Sequence, residues 1–346
     1  MIMLKKLFQY NLINPFLYSA IPIIRLPVIF FIFGGDFFKN FTVISSIFLF
    51  IPEIFFISFD SSSEKFKVKI RAFINILMCL ALFVMSVAAF YNNWLIALLG
   101  YYFFDQMTII DSKVRNSYSS YWYHIVRIIC VILIALKLLY VLPFINLIAY
   151  LLILRTRFIP VSFVDAIQVL TNFKLVLVSR TRDFLQNYIF AIFLNDNIFF
   201  ILNIGLRIIM NLSGFHYSYI RNNFIKKSII KKYLILIRRV SFPMLCIICI
   251  SVFFSYSYPY IFLPIFLVLM FFENIANQLN ILFLHNAGHK IFQSNAIVVL
   301  ALLLSIFILV FLKFFNEDFN IFMALICMSI LFSINILITN PKIKQT

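Results

Sequence analysis

The chain has 346 residues, of which 64% are hydrophobic, 19% aromatic and only 12% charged. Soluble domains are about half apolar and roughly a quarter charged, so this composition excludes both a soluble globular protein and a disordered one. The formal charge of +17 is explained by basic cytoplasmic loops facing anionic lipid. No basic array interleaved with aromatics accompanies it, so no nucleic-acid partner is implied.

A membrane-crossing helix needs about 20 predominantly apolar residues. On that basis the sequence predicts an all-α polytopic membrane helix bundle with twelve helices. They lie at roughly 12–33, 41–58, 72–91, 94–111, 122–140, 142–155, 164–189, 198–215, 240–257, 261–284, 292–314 and 320–339. Lys5 and Lys6 precede the first run, and no small-residue cleavage site follows it, so it reads as a span rather than a signal peptide. The break between the fifth and sixth spans is placed at Pro143. With the N-terminus in the cytoplasm, the inside segments hold 20 of the 29 basic residues and the outside loops hold only Lys39. That is the asymmetry the positive-inside rule expects, and it puts both termini in the cytoplasm. Six spans on each side of the midpoint suggest two six-helix lobes, 1–157 and 158–346, around a central cavity, as in transporters built from repeats.

Charged groups at membrane depth cost about 2.5–3.5 kcal/mol each on insertion scales and normally face a bundle interior. In the first span Asn11, Asn14, Tyr18 and Arg25 share one face, and Pro15, Pro22 and Pro27 interrupt the helix. Glu53 follows Pro52 in the second span. Tyr101, Asp105, Thr108 and Ser112 share a face in the fourth, and Arg127 lies near the start of the fifth.

The seventh span is the most polar. At 100° per residue, Asp165, Gln168, Asn172, Ser179, Arg182, Asp183 and Gln186 fall within an arc of about 100°, with Arg180 beside it. Lys174 points the opposite way, which leaves an interfacial amphipathic helix open as the alternative for this segment. Asn203 and Arg207 share a face in the eighth span, and Glu273, Asn277 and Asn280 in the tenth. The connection 216–239 mixes Lys and Arg with Ile and Leu, as a helix lying on a membrane surface would.

Metal, redox and cofactor chemistry find no support. Cys79, Cys130, Cys246, Cys249 and Cys327 all sit in apolar runs. The Cys246–Cys249 spacing lacks the second pair that a zinc site needs, and His285 with His289 lacks a third ligand. No catalytic residue is assigned.

Each polar group alone fits an interhelical hydrogen bond or ion pair. Taken together, the faces point to a shared hydrated cavity. Its substrate-binding candidates are Arg25, Asn14, Tyr18, Asn172, Arg180, Arg182, Arg207 and Asn277. Its carboxylates are Asp105, Asp183 and Glu273. Arginine forks suit phosphate, and amides and hydroxyls suit sugar hydroxyls, so an anion with a hydroxyl-rich body fits.

Several segments resemble one family. MIMLKKLF leads into a first span ending in FGGDFFKNFTVISSIF. LIALLGYYFFDQMTIIDSKVRNSYSSYWYHIVRII is similar to the fourth span, loop and basic start of the fifth. SRTRDFLQNYIFAIFLNDNIFFILNIGLRIIMN is similar to the seventh and eighth spans, and NQLNILFLHNAGHKIFQSN to the turn after the tenth. The family is the oligosaccharide flippases of the multidrug/oligosaccharidyl-lipid/polysaccharide exporter superfamily, which export O-antigen and capsule units.

The resemblance implies a multi-pass protein of the bacterial inner membrane and a transporter rather than an enzyme. It implies passage of an undecaprenyl-diphosphate-linked oligosaccharide to the outer leaflet by alternating access. By position it implies Arg25 and Arg182 as diphosphate contacts and Asp105, Asp183 and Glu273 as ion-coupling candidates. Its partners would be the lipid-linked oligosaccharide, membrane lipids, a polymerase and other glycan-assembly proteins. The alternatives are an O-antigen or capsule polymerase or other membrane glycosyltransferase, and a small-solute exporter of similar architecture. The enzyme would need a large external loop, whereas the predicted outside loops are short and Glu317–Asp318 is isolated in one of them.

Overall fold

The computed structural model describes residues 13–60, 64–115, 119–153 and 173–223, together with Leu300 and Leu303. Among them every regular element is helical and there is no strand. The helices are α1 (Ile13–Phe33), α2 (Gly35–Phe48), α3 (Phe50–Asp60), α4 (Glu64–Phe90), α5 (Trp94–Arg115), α6 (Ser119–Ala135), α7 (Leu142–Ile153), α8 (Phe173–Phe193) and α9 (Asp196–Asn223). A single 3-10 turn, Leu139–Val141, precedes α7. Apart from Leu300 and Leu303, expected spans nine to twelve lie outside the described residues, as do Cys246, Cys249, His285 and His289.

Local chemistry sets the helix ends. Gly34 has φ +88°, a backbone state that glycine adopts at no steric cost, and it ends α1. Asn92 takes φ +54° after α4, as asparagine often does just past a helix. Asn93 then caps α5, its Oδ1 accepting from the Ile96 N–H at 3.2 Å. Asn195 does the same for α9 through Ile198 N–H at 2.9 Å.

The fifth-to-sixth break departs from expectation. It falls at Leu136–Leu138, where Lys137 has φ +59°, and not at Pro143. Pro143 instead occupies the first turn of α7, where its missing N–H has no helical partner to lose. The second expected span also starts earlier, at Gly35. Phe33 stacks on Phe37 at 4.7 Å and Phe30 meets Phe38 edge-on at 5.6 Å, which holds the residues just after the turn against the end of α1. Between α2 and α3 the backbone bonds Leu49 N–H to Ser45 O and Glu53 N–H to Leu49 O carry the helical path past Pro52.

Two described stretches are long and apolar enough to cross a membrane, Gly35–Phe55 and Val68–Phe90. Ala20–Phe33, Tyr123–Ala135 and Leu139–Leu151 are shorter apolar helices.

The chain divides into two compact units, Met1–Arg180 and Thr181–Thr346. In the first, α4 and α5 pack along each other, α1 packs on α2 and α6, α7 on α4 and α6, and α5 touches α2, α3, α4 and α6. α5 is therefore the central element. Its close approach to α4 depends on Gly100, where a Cβ would sit 3.2 Å from Met85 Cβ and 3.4 Å from Ala81 O. Ala81, Ala88, Ala89 and Ala97 are buried around this seam, the small-residue packing that helices use when apolar solvent gives them no drive to associate.

In this unit apolar side chains line the outside as well as the core, and several polar and charged groups are buried. On α6 the exposed residues are Ile125, Ile128, Ile129, Ile132 and Ala135, while Tyr123, His124, Arg127 and Cys130 are buried. On α4, Leu80 and Phe83 are 55% and 66% exposed while Asn75 is buried. Exposed polar positions gather at helix ends, at Asp36, Asn40, Asn92, Asn93 and Lys137. Buried hydroxyls and amides are partly satisfied within their own helices. Ser45 donates to Thr42 O, Thr108 to Phe104 O and Asn146 to Leu142 O.

The second unit, as described, holds the later part of α8 and α9. Asn203 is buried and donates to Phe199 O at 2.9 Å. Arg207, one turn further on, is half-buried.

Candidate functional site in the first helical unit

The centre of the first unit is a buried polar cluster around Asp105. Asp105 lies in the middle of α5, the central helix, and is fully buried. Arg25 reaches it from α1, its Nη1 donating to Oδ2 at 3.2 Å. Arg127 reaches it from α6, with Nη2 donating to Oδ2 at 3.1 Å and Nε 2.6 Å from Oδ1. Tyr123, one turn before Arg127, donates its hydroxyl to Oδ1 at 3.2 Å. Arg25 and Arg127 are 2% and 0% exposed.

Among the described residues, then, two guanidiniums and one phenol converge on a single carboxylate, and three helices are tied through it. Buried ions are tolerated only when paired and hydrogen-bonded in this way.

The sequence makes the geometry available. Asp105 and Tyr101 are one turn apart on α5, as are Tyr123 and Arg127 on α6, so each pair shares a face. Arg25 lies between Pro22 and Pro27, both inside α1. Each proline removes one helical donor, so the backbone beside Arg25 is weakened and the side chain is held by what it touches. Its guanidinium sits 4.6 Å from the Tyr102 ring centroid and 5.5 Å from that of Tyr101, and these aromatic faces attract the cation. Arg25 Nε is buried and has no hydrogen-bond partner, so the fork is only partly used.

The cluster continues towards α7. Asn146, fully buried, directs its amide N–H to Cys130 Sγ at 3.5 Å on α6. Cys79 on α4 donates to the Tyr150 hydroxyl at 3.3 Å. Cys79 and Cys130 are free thiols in an apolar bundle, in keeping with the packing role expected of them. Among the described residues no group of His, Cys, Asp and Glu is arranged to hold a metal ion.

A second charged contact lies away from this cluster. Arg180 on α8 donates to Glu53 Oε2 on α3 and forms an ion pair with it. The two side chains are 22% and 24% exposed, so this pair is half-open where the Asp105 cluster is sealed.

The expected site residues are distributed as follows. Arg25 and Asp105, assigned separate roles in substrate binding and ion coupling, are in direct contact. Arg180, expected beside the polar stripe of its span, is engaged with Glu53. Asp183 on α8 and Arg207 on α9 are half-buried. Asn14 and Tyr18 fall on α1 and Arg182 on α8, and their placement is described for the backbone. Asn172, Glu273 and Asn277 lie outside the described residues.

Three residues of these contacts were not among the expected site residues: Arg127, Tyr123 and Glu53. The one-turn spacing of Tyr123 and Arg127 was a usable signal, because it matches the Tyr101–Asp105 spacing on the helix they meet. No known protein family, curated protein or solved structure matches this chain.

Proposed function

We propose that this protein is a polytopic transporter of the bacterial inner membrane, with about twelve spans in two lobes around a cavity and both termini cytoplasmic. It passes an undecaprenyl-diphosphate-linked oligosaccharide, an O-antigen or capsule repeat unit, from the cytoplasmic to the outer leaflet by alternating access. The observation that supports this reading most is the pairing of apolar outer faces with buried charges in the first unit. Apolar side chains face outward while Arg25, Asp105 and Arg127 are held at its centre. Intramembrane arginines cost several kcal/mol to insert, a cost that a role in binding an anion accounts for.

In this reading Arg25 is held by Asp105 until a diphosphate competes for its guanidinium. Oxyanions of phosphate can use the fork at two positions where Asp105 uses one. Release of Asp105 then couples substrate arrival to a change between α1 and α5. Arg182 supplies a second diphosphate contact, and Asp183 and Glu273 further coupling carboxylates.

Deletion of the protein tests the reading. Loss of surface glycan with lipid-linked units trapped on the inner leaflet is the expected result. Single unpolymerised units already outside would identify a polymerase instead. Replacing Arg25 or Arg182 by Ala should lower export while membrane abundance is kept; unchanged glycan display in both variants would remove these residues from the transport path.

A further inference from the structure

The Asp105 cluster leaves two donors unused. Arg25 Nε and the Tyr101 hydroxyl are buried and have no hydrogen-bond partner, in residues only 2% and 1% exposed. The hydroxyl lies beside the Cys130 thiol, a weak acceptor, and within the field of Asp105, Arg25 and Arg127. Burying a polar atom unpaired costs free energy, and native proteins leave few such atoms. Two of them around one guanidinium point to a partner that the chain does not supply. The rest of the Arg25 head group is fixed. Asp105 accepts from Nη1, and the Tyr102 ring lies 4.6 Å from Cζ, itself held edge-on to Phe41 of α2 at 5.9 Å. These contacts set the plane of the guanidinium and leave its Nε edge. The Tyr101 ring centroid is 5.5 Å from the same Cζ. A guanidinium N–H and a phenol O–H are both donors. Two donors and a positive charge repel cations and select an oxyanion, and the arginine fork suits phosphate best.

We propose that Arg25 Nε and the Tyr101 hydroxyl form an oxyanion subsite, which takes one phosphate group of a diphosphate while Asp105 still holds Nη1. The subsite deepens the transporter reading and rests on it for the identity of the substrate, but anion binding is measurable without any transport assay. Tyr101 is then a binding residue through its oxygen. Tyr102 is a positioning residue through its ring, which presents the Arg25 edge to the anion.

Full-length protein with isotope-labelled arginine is placed in lipid nanodiscs and titrated with inorganic pyrophosphate, followed by nuclear magnetic resonance. The Arg25 Nε–H signal is identified by its loss in Arg25→Lys. It should shift saturably, and Tyr101→Phe should weaken the apparent affinity about tenfold, as the loss of one hydrogen bond to a charged group does. Because that hydroxyl makes no hydrogen bond within the protein, Tyr101→Phe should leave the thermal unfolding temperature unchanged or raise it. Tyr102→Phe should bind as the wild type does, and Tyr102→Leu more weakly. The absence of a saturable shift, equal affinity in the wild type and Tyr101→Phe, or a clear loss of stability in Tyr101→Phe overturns the subsite. Farnesyl diphosphate in the nanodisc separates the two sources of the anion. A matching shift assigns the subsite to a lipid head group, and a shift with pyrophosphate alone assigns it to a soluble phosphate. If lipid-linked units cross normally in the deletion strain, the substrate assignment falls while the titration result stands.

Discussion

Two charged contacts in the same unit show what burial does to an ion pair. Asp105 with Arg25 and Arg127 is sealed at 0–2% exposure, whereas Glu53 with Arg180 keeps 22–24%. The chemistry is the same, a guanidinium on a carboxylate. In the sealed cluster the charges cannot exchange their partners for water, so only a competing ion would release one. At the half-open pair water is an alternative partner, so the contact is weak and reversible. The difference follows from position: Asp105 sits mid-way along the central helix, while Glu53 lies in the first turn of α3.

The largest effect should come from breaking the sealed cluster. Asp105→Ala strands two buried guanidiniums, at a cost of about 3–5 kcal/mol. It should abolish folded protein in a detergent thermal-unfolding assay and cut membrane abundance. Arg25→Ala should be much milder in the same assay, because Asp105 keeps Arg127 and Tyr123; equal damage from the two would show that the three-way arrangement is not what holds the cluster.

Next in size is Leu80→Lys on the outward apolar face of α4. A lysine near the middle of a span costs about 2.5–3.5 kcal/mol to insert, so less protein should reach the membrane fraction. If this face met water, the substitution would be harmless.

The α4–α5 seam comes third. Gly100→Leu must displace Met85 or the Ala81 backbone, and overpacking of this kind costs about 1–3 kcal/mol, read as a lower unfolding temperature with Gly100→Ala in between. Glu53→Gln and Arg180→Gln close the series. Each should change stability by no more than about 1 kcal/mol in that same unfolding assay. A loss as large as that of Asp105→Ala would erase the distinction between the two contacts.

Much of the first unit was legible in the sequence because it depends on local chemistry. Long apolar runs mark most of α1 to α7 in the sequence. The break before α7 was misplaced because proline is a visible signal and Lys137 is not. A lysine in left-handed backbone carries no compositional mark, whereas Pro143 at a first helical turn is compatible with the helix it seemed to end.

Arg25 and Asp105 were both singled out by their cost at membrane depth, which is a one-residue argument. Their contact is 80 residues apart in sequence and depends on how α1 and α6 pack around α5, which periodicity does not encode. The same holds for Glu53 and Arg180, whose helices carry no shared pattern. Helical spacing reports which residues share a face, and packing decides which faces meet.

The claim beneath all of this is that α4 and α6 turn apolar faces to lipid while their charged and polar groups turn inward. Nitroxide collision accessibility on the reconstituted protein tests it most directly, with single labels at Leu80 and Ile132 compared with Asn92 and Lys137. The account predicts that labels at 80 and 132 collide readily with oxygen and hardly at all with a water-soluble nickel chelate, with the opposite at 92 and 137. Free access of the nickel chelate to positions 80 and 132 would contradict it.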